Sequence, residues 1–272
     1  MNPKVPMNTN TNDALDTTAG NTLAIASGLT KTFSMGALEV NALRGVDLEI
    51  HRGDFLALVG PSGSGKTTLL NLFGALDQPT DGELEVLGRR LGELSRGQRA
   101  ELRLRSLGFV FQAYNLVPVL TAAENVEFVL ELQGIGRKER RARALEVLDQ
   151  LGLRDLASRR PTELSGGQQQ RVAVARAVAS KPELVLADEP TANLDTHSAE
   201  QLMELMRRLH DERNVTFVFS THDPRVVAHA TRVVTLEDGH VLSDVDRAPE
   251  ARPPVPGSVV RSTTIEATAA SA

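Results

Sequence analysis

The chain has no cysteine, no tryptophan and a single tyrosine among its 272 residues. The absence of cysteine excludes disulfides, thiolate metal sites and a thiol nucleophile. No apolar stretch approaches the roughly 20 residues that a membrane-spanning helix needs. The net charge of −5 and the few aromatic residues argue against a basic, base-stacking surface. We therefore expect no nucleic-acid partner and no direct insertion into a membrane.

The remaining composition is typical of a folded protein with polar ends. Apolar residues make up 41% of the sequence and charged residues 24%, which allows a buried core in one large or two small domains. Residues 1–21 are rich in Asn and Thr, whereas residues 246–272 are rich in Pro, Ala, Ser and Thr. These compositions predict a disordered N-terminal tail and a flexible C-terminal tail around one domain over 22–245.

The strongest motif lies at residues 60–68, which read GPSGSGKTT and match G-x-x-x-x-G-K-[ST]. A short apolar run precedes the motif and helix-forming residues follow it, as in the strand, loop and helix of a phosphate-binding site. The glycines let the main chain approach a ligand, and successive N–H groups at a helix start attract phosphate oxygens. The candidate phosphate-binding residues are Gly60, Pro61, Ser62, Gly63, Ser64, Gly65, Lys66, Thr67 and Thr68.

Two residues of this loop have specific chemical roles in the motif. The Lys66 ammonium is suited to the β- and γ-phosphates, and the Thr67 hydroxyl can ligate Mg²⁺. The sequence therefore predicts an NTPase. The alternative is a Gly- and Ser-rich turn that matches the pattern by chance.

Two adjacent acids follow a second apolar run. Asp188 and Glu189 come after residues 184–187, and ligands of open α/β sheets bind at such strand ends. Because adjacent strand residues point to opposite faces, the two acids can have different roles. Asp188 is suited to ligating Mg²⁺, and Glu189 is suited to polarising the attacking water. The alternative is a strand that simply ends in exposed acids.

His222 and Gln112 also follow predicted strands. His222 comes three residues after the apolar run 215–219, whose end is expected beside the other two strand ends and near the γ-phosphate. Gln112 directly follows the run 107–111 and could reach the metal or the attacking water, although a glutamine after a strand is unremarkable. The other histidines are interpreted as surface or satisfied core residues.

A second glycine-containing helix start lies at residues 164–168, which read LSGGQ. Ser165, Gly166 and Gly167, followed by Gln168, would bind an anion through the helix dipole and free amides. Since the phosphate loop already holds a phosphate in the same subunit, this site suggests a second copy of the chain across an interface. The alternative is a serine N-cap followed by two glycines.

The alternation of strands and helices in the core predicts a mostly parallel sheet. Residues 23–50 predict antiparallel strands, and residues 113–166 predict helices without intervening strands. A further helix is predicted over 198–210, with Ser198 and Gln201 as its capping box. The fold class is therefore α/β: a P-loop NTPase core, an N-terminal antiparallel β subdomain and an all-helical insert carrying the LSGGQ motif.

The order of these motifs resembles the nucleotide-binding domain of an ATP-binding cassette (ABC) ATPase over about residues 23–245. The matching motifs are the phosphate loop, Gln112, the signature segment LSGGQ, the acid pair and His222. Segments such as 115–118 and 121–126 resemble the lipoprotein-release and macrolide-export subclass. The resemblance implies ATP and Mg²⁺ as ligands.

The resemblance also implies a role for each matching residue near the phosphates. Lys66 and the loop amides would hold the phosphates. Thr67, Gln112 and Asp188 would serve Mg²⁺, while Glu189 would be the catalytic base.

Other matching residues would act at the γ-phosphate, the dimer interface and the adenine base. His222 would fix the γ-phosphate of its own subunit, whereas Ser165 and Gly167 would contact the γ-phosphate bound by the opposite subunit. Asp195 would lie at the dimer interface and link the two sites. Phe33 stands where the family commonly has Tyr, and its ring would still stack on adenine.

The partners implied by the resemblance are a second copy of the chain and a separately encoded membrane permease. The permease would have few transmembrane helices, a large extracytoplasmic domain and a coupling helix that enters the groove around residues 112–119. The chain would be cytoplasmic and peripheral on the inner face of the cell membrane. The alternative is a non-transport ABC ATPase that transmits force to a membrane partner and so regulates an extracytoplasmic enzyme.

Overall fold

The computed structural model describes residues 21–36 and 38–247. Within them the strands are β1 (Thr22–Met35), β2 (Leu38–His51), β3 (Phe55–Val59), β4 (Asp81–Val86), β5 (Arg89–Arg90), β6 (Leu107–Val110), β7 (Leu184–Asp188), β8 (Thr216–Ser220), β9 (Arg232–Glu237) and β10 (His240–Asp246). The helices are α1 (Lys66–Phe73), α2 (Arg96–Ser106), α3 (Ala122–Leu132), α4 (Arg137–Gln150), α5 (Gly166–Ala179), α6 (Thr196–Arg213) and α7 (Pro224–His229). The predicted tails lie outside the described residues, apart from Asn21, Asp246 and Arg247, and β10 continues through Asp246.

A six-stranded sheet forms the centre of the molecule, with strand order β10-β9-β3-β8-β7-β6. All of its strands are parallel except β10, which is antiparallel to β9. Strands β3, β7 and β8 are buried along almost their whole length, which explains their continuous apolar sequences. The prediction of a mostly parallel sheet is confirmed. The carboxyl ends of β3, β8, β7 and β6 consequently meet at one edge.

An antiparallel sheet of order β2-β1-β4-β5 packs beside this core, as predicted for the N-terminal part. Its buried side chains share one apolar cluster with α1. The cluster includes Leu29, Leu43 and Ile50 from the sheet together with Leu69 and Phe73 from α1. The sheet therefore supports the helix that follows the phosphate loop.

A helical insert separates β6 from α5. Helices α3 and α4 pack on each other and on α5 through Val126, Leu130, Val147 and Val172. Helix α3 begins where the Thr121 hydroxyl accepts a hydrogen bond from the third amide of the helix, which closes a capping box. None of the helices in the described part of the chain combines the length and apolar character that crossing a bilayer requires.

Helix α2 was not among the predicted elements. Leu102 is its only buried residue, so it lacks the apolar periodicity that reveals most helices. A signal was nevertheless present, because Ser95 and Gln98 form a capping box at its start.

The predicted start of α6 is wrong. Asp195, rather than Ser198, is the N-cap, and its carboxylate accepts hydrogen bonds from the Ser198 amide at 2.9 Å and the Ser198 hydroxyl at 2.6 Å. The predicted capping box of Ser198 with Gln201 does not form. The carboxylate of Asp195 is the stronger acceptor and engages the Ser198 hydroxyl as its donor.

Candidate phosphate-binding and catalytic site

The phosphate loop connects β3 to α1 and is walled by two neighbouring strands. A Cβ atom on Gly60 would lie 2.0 Å from the Leu236 carbonyl oxygen of β9, and one on Gly65 would lie 2.6 Å from the Ala42 carbonyl oxygen of β2. Both glycines, with φ of 149° and 102°, allow this close approach. A Cβ on Gly63 would meet nothing within 4 Å. The loop is therefore packed on two sides and open at Gly63.

Lys66 provides an available positive charge inside this loop. Its ammonium donates hydrogen bonds to the carbonyl oxygens of Gly60 at 2.8 Å and Pro61 at 2.9 Å, and the residue is only 8% exposed. Within residues 21–36 and 38–247 no carboxylate forms an ion pair with it. The side chain is thus held at the loop with its charge uncompensated, which favours an anionic ligand.

The first turn of α1 is also open to an anion. Its N-cap is Gly65, and no side chain accepts a hydrogen bond from the first amides of the helix. Helices α2, α3, α5, α6 and α7 begin with a side-chain cap, whereas α4, like α1, begins at a glycine without one. Free N–H groups and the helix dipole at this end fit phosphate oxygens. Of the remaining loop residues, Pro61 and Ser62 are exposed, Ser64 is buried with its hydroxyl unpaired, and Thr68 is half-buried on α1.

Thr67 and Asp188 bring two hard oxygen ligands together. The Thr67 hydroxyl, in the first turn of α1, donates a hydrogen bond to Oδ1 of Asp188, at the end of β7, at 3.0 Å. No group of three or more His, Asp or Glu side chains in the described part of the chain could hold a metal alone. Mg²⁺ prefers one or two protein oxygens completed by phosphate and water, so these two residues fit it.

The side chain of Gln112 is not joined to this pair. Gln112 is exposed two residues beyond the end of β6, and its main-chain carbonyl oxygen accepts a hydrogen bond from the side-chain amide of Asn193 at 2.9 Å. In the described residues the Gln112 side chain makes no hydrogen bond to Thr67 or Asp188. The predicted metal ligation by Gln112 therefore stays a prediction.

Glu189 and His222 meet directly. The Nδ1 atom of His222 donates to Glu189 Oε1 at 2.7 Å, and the Thr221 hydroxyl donates to Glu189 Oε2 at 3.3 Å. The Glu189 side chain is 16% exposed, whereas the His222 side chain is 73% exposed. Glu189 has a left-handed backbone with φ of 46°, and its amide donates to the Ser220 carbonyl oxygen. The two predicted catalytic groups thus lie together where β7 and β8 end.

A buried network behind this pair was not predicted from the sequence. Asp223 accepts a hydrogen bond from the Thr191 hydroxyl at 2.7 Å and binds the Arg225 guanidinium through both carboxylate oxygens. Burial raises the pKa of Asp223, but the hydrogen bonds from Arg225 and Thr191 outweigh it and hold the pKa below its ordinary value. The network ties the segment after Glu189 to the segment after β8. No local sequence signal marks this network, because Thr191 and Asp223 are 32 residues apart in the chain.

The signature segment caps its own helix. Ser165 Oγ accepts a hydrogen bond from the Gln168 amide at 3.3 Å, and Gln168 Oε1 accepts one from the Ser165 amide at 2.9 Å. Gly166 lies beside the Tyr114 hydroxyl. Within residues 21–36 and 38–247 no hydrogen bond joins this segment to the phosphate loop. In the described part of one chain, the two glycine-rich helix starts are therefore not bonded to each other.

Three predicted site residues remain: Gly167, Asp195 and Phe33. In the described residues none of them forms a hydrogen bond with the phosphate loop. A Cβ on Gly167 would lie 3.1 Å from Ser198 at the start of α6. Asp195 is exposed, and the hydrogen bonds from Ser198 lower its pKa. Phe33 is 39% exposed on β1, with the Lys31 ammonium 4.9 Å from its ring centre. The predicted roles of these residues depend on a partner chain or a nucleotide.

Comparison with known proteins identifies close relatives of this chain. The family model described as ABC transporter matches residues 43–192. An ABC transporter ATP-binding protein of Thermotoga maritima is 47% identical over 211 residues, which cover 78% of this chain and 90% of the relative. The macrolide export ATP-binding/permease protein MacB of Pectobacterium atrosepticum is 46% identical over 224 residues, which cover 82% of this chain and 34% of the relative.

A solved structure has the same fold. It is the dimeric, post-hydrolysis state of the ATP-binding cassette MJ0796 bound to ADP and phosphate. It is 42% identical to this chain, with a TM-score of 0.77, and the match covers 83% of this chain and all of the solved chain.

Proposed function

The chain belongs to the ABC transporter family as an ATP-binding, ATP-hydrolysing cassette, and from that premise we propose that two copies close on MgATP to drive a separately encoded membrane permease. The observation that carries the proposal is that no hydrogen bond within the described part of one chain joins the two glycine-rich helix starts. A phosphate held by the loop would lack the signature segment unless a second subunit supplied it. The dimeric state of the solved cassette supports this arrangement.

The proposed roles of the chain's own groups follow from their positions. Lys66 and the free amides of α1 would hold the phosphates, and Thr67 with Asp188 would hold Mg²⁺, which neutralises phosphate charge when bound. Glu189 would accept a proton from the attacking water, while His222 would orient Glu189 and contact the γ-phosphate. Hydrolysis would thus depend mainly on positioning and charge neutralisation.

Ser165 has the hydrogen-bonding capacity that the partner's nucleotide requires. Its hydroxyl oxygen accepts the bond that caps α5, so the hydroxyl proton remains available to donate. The amides of the first turn of α5 add the favourable end of the helix dipole. We propose that this turn binds the γ-phosphate held by the opposite subunit, and that Asp195 lies at the same interface.

A mixing experiment tests the shared sites. Ser165→Arg and Lys66→Ala subunits should each be inactive alone because one lesion blocks the signature and the other weakens phosphate binding. In an equal mixture half of the dimers are mixed and each contains one intact site, so about a quarter of the wild-type ATPase rate should return.

The matched control for this experiment is a mixture of Lys66→Ala with the Ser165→Arg/Lys66→Ala double variant. No dimer in that mixture has an intact site, so its ATPase rate should stay at background. Absence of rescue at every ratio of the two single variants would refute sites shared between subunits.

The permease is proposed to dock beside Gln112. An apolar cleft of about 380 Å³ lies between α2, α3 and the edge strand β6. Its apolar lining includes Leu76, Leu104, Phe109 and Val129, and it is next to the loop that was predicted to receive a coupling helix. A short permease helix presenting apolar side chains would fit this cleft. Docking there would place the cassette at the inner face of the cell membrane.

We assign the permease to the macrolide-export and lipoprotein-release type, which carries a large extracytoplasmic domain. The support is the relative named a macrolide export ATP-binding/permease protein, of which this chain covers only 34%. A permease part therefore makes up much of that relative, whereas here we propose that a separate chain provides it.

A further inference from the structure

A strained turn follows Gln112 and is fastened to the signature helix α5. Tyr114 and Asn115 both have left-handed backbones, with φ of 58° and 51°. The Arg176 guanidinium on α5 donates hydrogen bonds to the carbonyl oxygens of both residues. Such a conformation persists only where the surrounding structure holds it. The hydrogen bonds from Arg176 therefore hold the turn after Gln112 against helix α5.

The phenol of Tyr114 lies at the very start of that helix. Its hydroxyl oxygen is 2.9 Å from the position that a Cβ on Gly166 would occupy. The hydroxyl donates to the main-chain carbonyl oxygen of Asn193 at 3.5 Å, and the side-chain amide of Asn193 donates to the main-chain carbonyl oxygen of Gln112 at 2.9 Å. Burial raises the pKa of the Tyr114 phenol. A chain of contacts thus runs from Gln112 through Asn193 and Tyr114 to Gly166.

We propose that Tyr114 is a positioning residue that sets the first turn of α5, and with it Ser165, relative to Gln112. The inference rests on the proposed function, in which the permease docks beside Gln112 and Ser165 faces the partner's nucleotide. The phenol occupies the space that a side chain at position 166 would need. Its hydroxyl also links this turn to Gln112 through Asn193.

This geometry leaves little room for a side chain at position 166. With Tyr114 in place, an alanine methyl at 166 would be 2.9 Å from the hydroxyl oxygen, which is too close, so the phenol or the helix would have to shift. Without that oxygen, the nearest atoms would be the Asn193 carbonyl oxygen at 3.8 Å and the Tyr114 Cζ at 3.9 Å. These are ordinary contacts. Phenylalanine at 114 should therefore make room for alanine at 166.

The test is a double-mutant cycle in the hydrolysis-deficient Glu189→Gln parent, measured as the MgATP concentration that gives half-maximal dimer by light scattering. Gly166→Ala should raise that concentration roughly tenfold or more because the first turn is displaced. Tyr114→Phe alone should raise it only about threefold because it removes one long hydrogen bond and keeps the ring. The Tyr114→Phe/Gly166→Ala variant should return to within about threefold of Tyr114→Phe, a coupling expected only for groups in contact.

Gly167→Ala is the matched control. Its methyl would meet Ser198 at 3.1 Å and does not approach Tyr114, so Tyr114→Phe should not relieve its defect. The same variants should show the same coupling between 114 and 166 in urea unfolding, a measurement that needs neither dimer nor nucleotide.

Two outcomes would overturn the inference, and they are distinguishable. If the parent dimerises but Gly166→Ala is equally defective with Tyr or Phe at 114, Tyr114 does not position this turn. If the parent stays monomeric at saturating MgATP, the proposed function fails and the inference fails with it.

Discussion

The substitution Glu189→Gln separates the chemical step from nucleotide binding. The Glu189 carboxylate accepts hydrogen bonds from His222 at 2.7 Å and Thr221 at 3.3 Å and is largely buried. Glutamine has the same shape, and its amide oxygen can accept from either neighbour. The main-chain bond from residue 189 to Ser220 is unaffected. The substitution therefore removes the proton acceptor and preserves the surrounding geometry.

The expected magnitudes differ sharply between rate and stability. Loss of a general base lowers a rate by about 10²–10⁴-fold, which corresponds to roughly 3–5 kcal/mol in the activation barrier. Weakening one hydrogen bond to Glu189 costs about 1 kcal/mol, so the melting temperature should fall by only about 2–4 °C. We expect ATP affinity within about threefold of wild type and preserved MgATP-dependent dimerisation, because no hydrogen bond in the described residues joins Glu189 to the phosphate loop.

The assay compares steady-state phosphate release, equilibrium ATP binding and dimer formation by light scattering. Glu183→Gln is the matched control because Glu183 precedes the opposite end of β7 and pairs with Arg52 on the surface at 2.7 Å. It should leave phosphate release unchanged. If Glu189→Gln keeps more than about a third of the wild-type rate, Glu189 is not the catalytic base.

Two further predictions concern stability. Gly65→Ala should destabilise the chain by about 3 kcal/mol or more, and Gly63→Ala by only about 1–2 kcal/mol. Both glycines have left-handed φ values, but only a methyl at 65 would collide with the Ala42 carbonyl oxygen. Urea unfolding measures both, and equal losses would contradict the clash. Asp223→Asn should cost stability at neutral pH and progressively less in acid, because the hydrogen bonds from Arg225 overcome burial and lower the folded-state pKa of Asp223. The stability contributed by the Asp223 carboxylate is complete above its unfolded-state pKa of about 3.9 and is lost as the pH falls through its lower folded-state pKa. If the difference in unfolding free energy between Asp223→Asn and wild type does not change with pH, the carboxylate does not contribute in this way.

The sequence predicts the parallel core and the phosphate loop well because both leave local signals. Strands β3, β7 and β8 are buried on both faces and therefore read as continuous apolar runs. The glycines at 60 and 65 stand where neighbouring strands leave no space for a side chain. Parallel strands also explain why residues that follow separate strands, such as Glu189 and His222, could be expected to lie near each other.

The sequence could not reveal which side chains bind each other at the strand ends. The contact between Glu189 and His222 depends on β8 lying directly beside β7, and that strand order is not a local property. The same reason applies to the bond between Thr191 and Asp223, which are 32 residues apart. Tyr114 had no sequence signal, because its importance comes from the space beside Gly166.

The walls of the phosphate loop have a consequence for synthesis of the protein on the ribosome. One wall comes from Ala42, which emerges early, but the other comes from Leu236 and from Gly239, whose amide donates to the Ser64 carbonyl oxygen. Once the loop has been synthesised, roughly 170 further residues must be added before this second wall exists. The phosphate loop consequently gains its second wall only after almost the whole domain has been made.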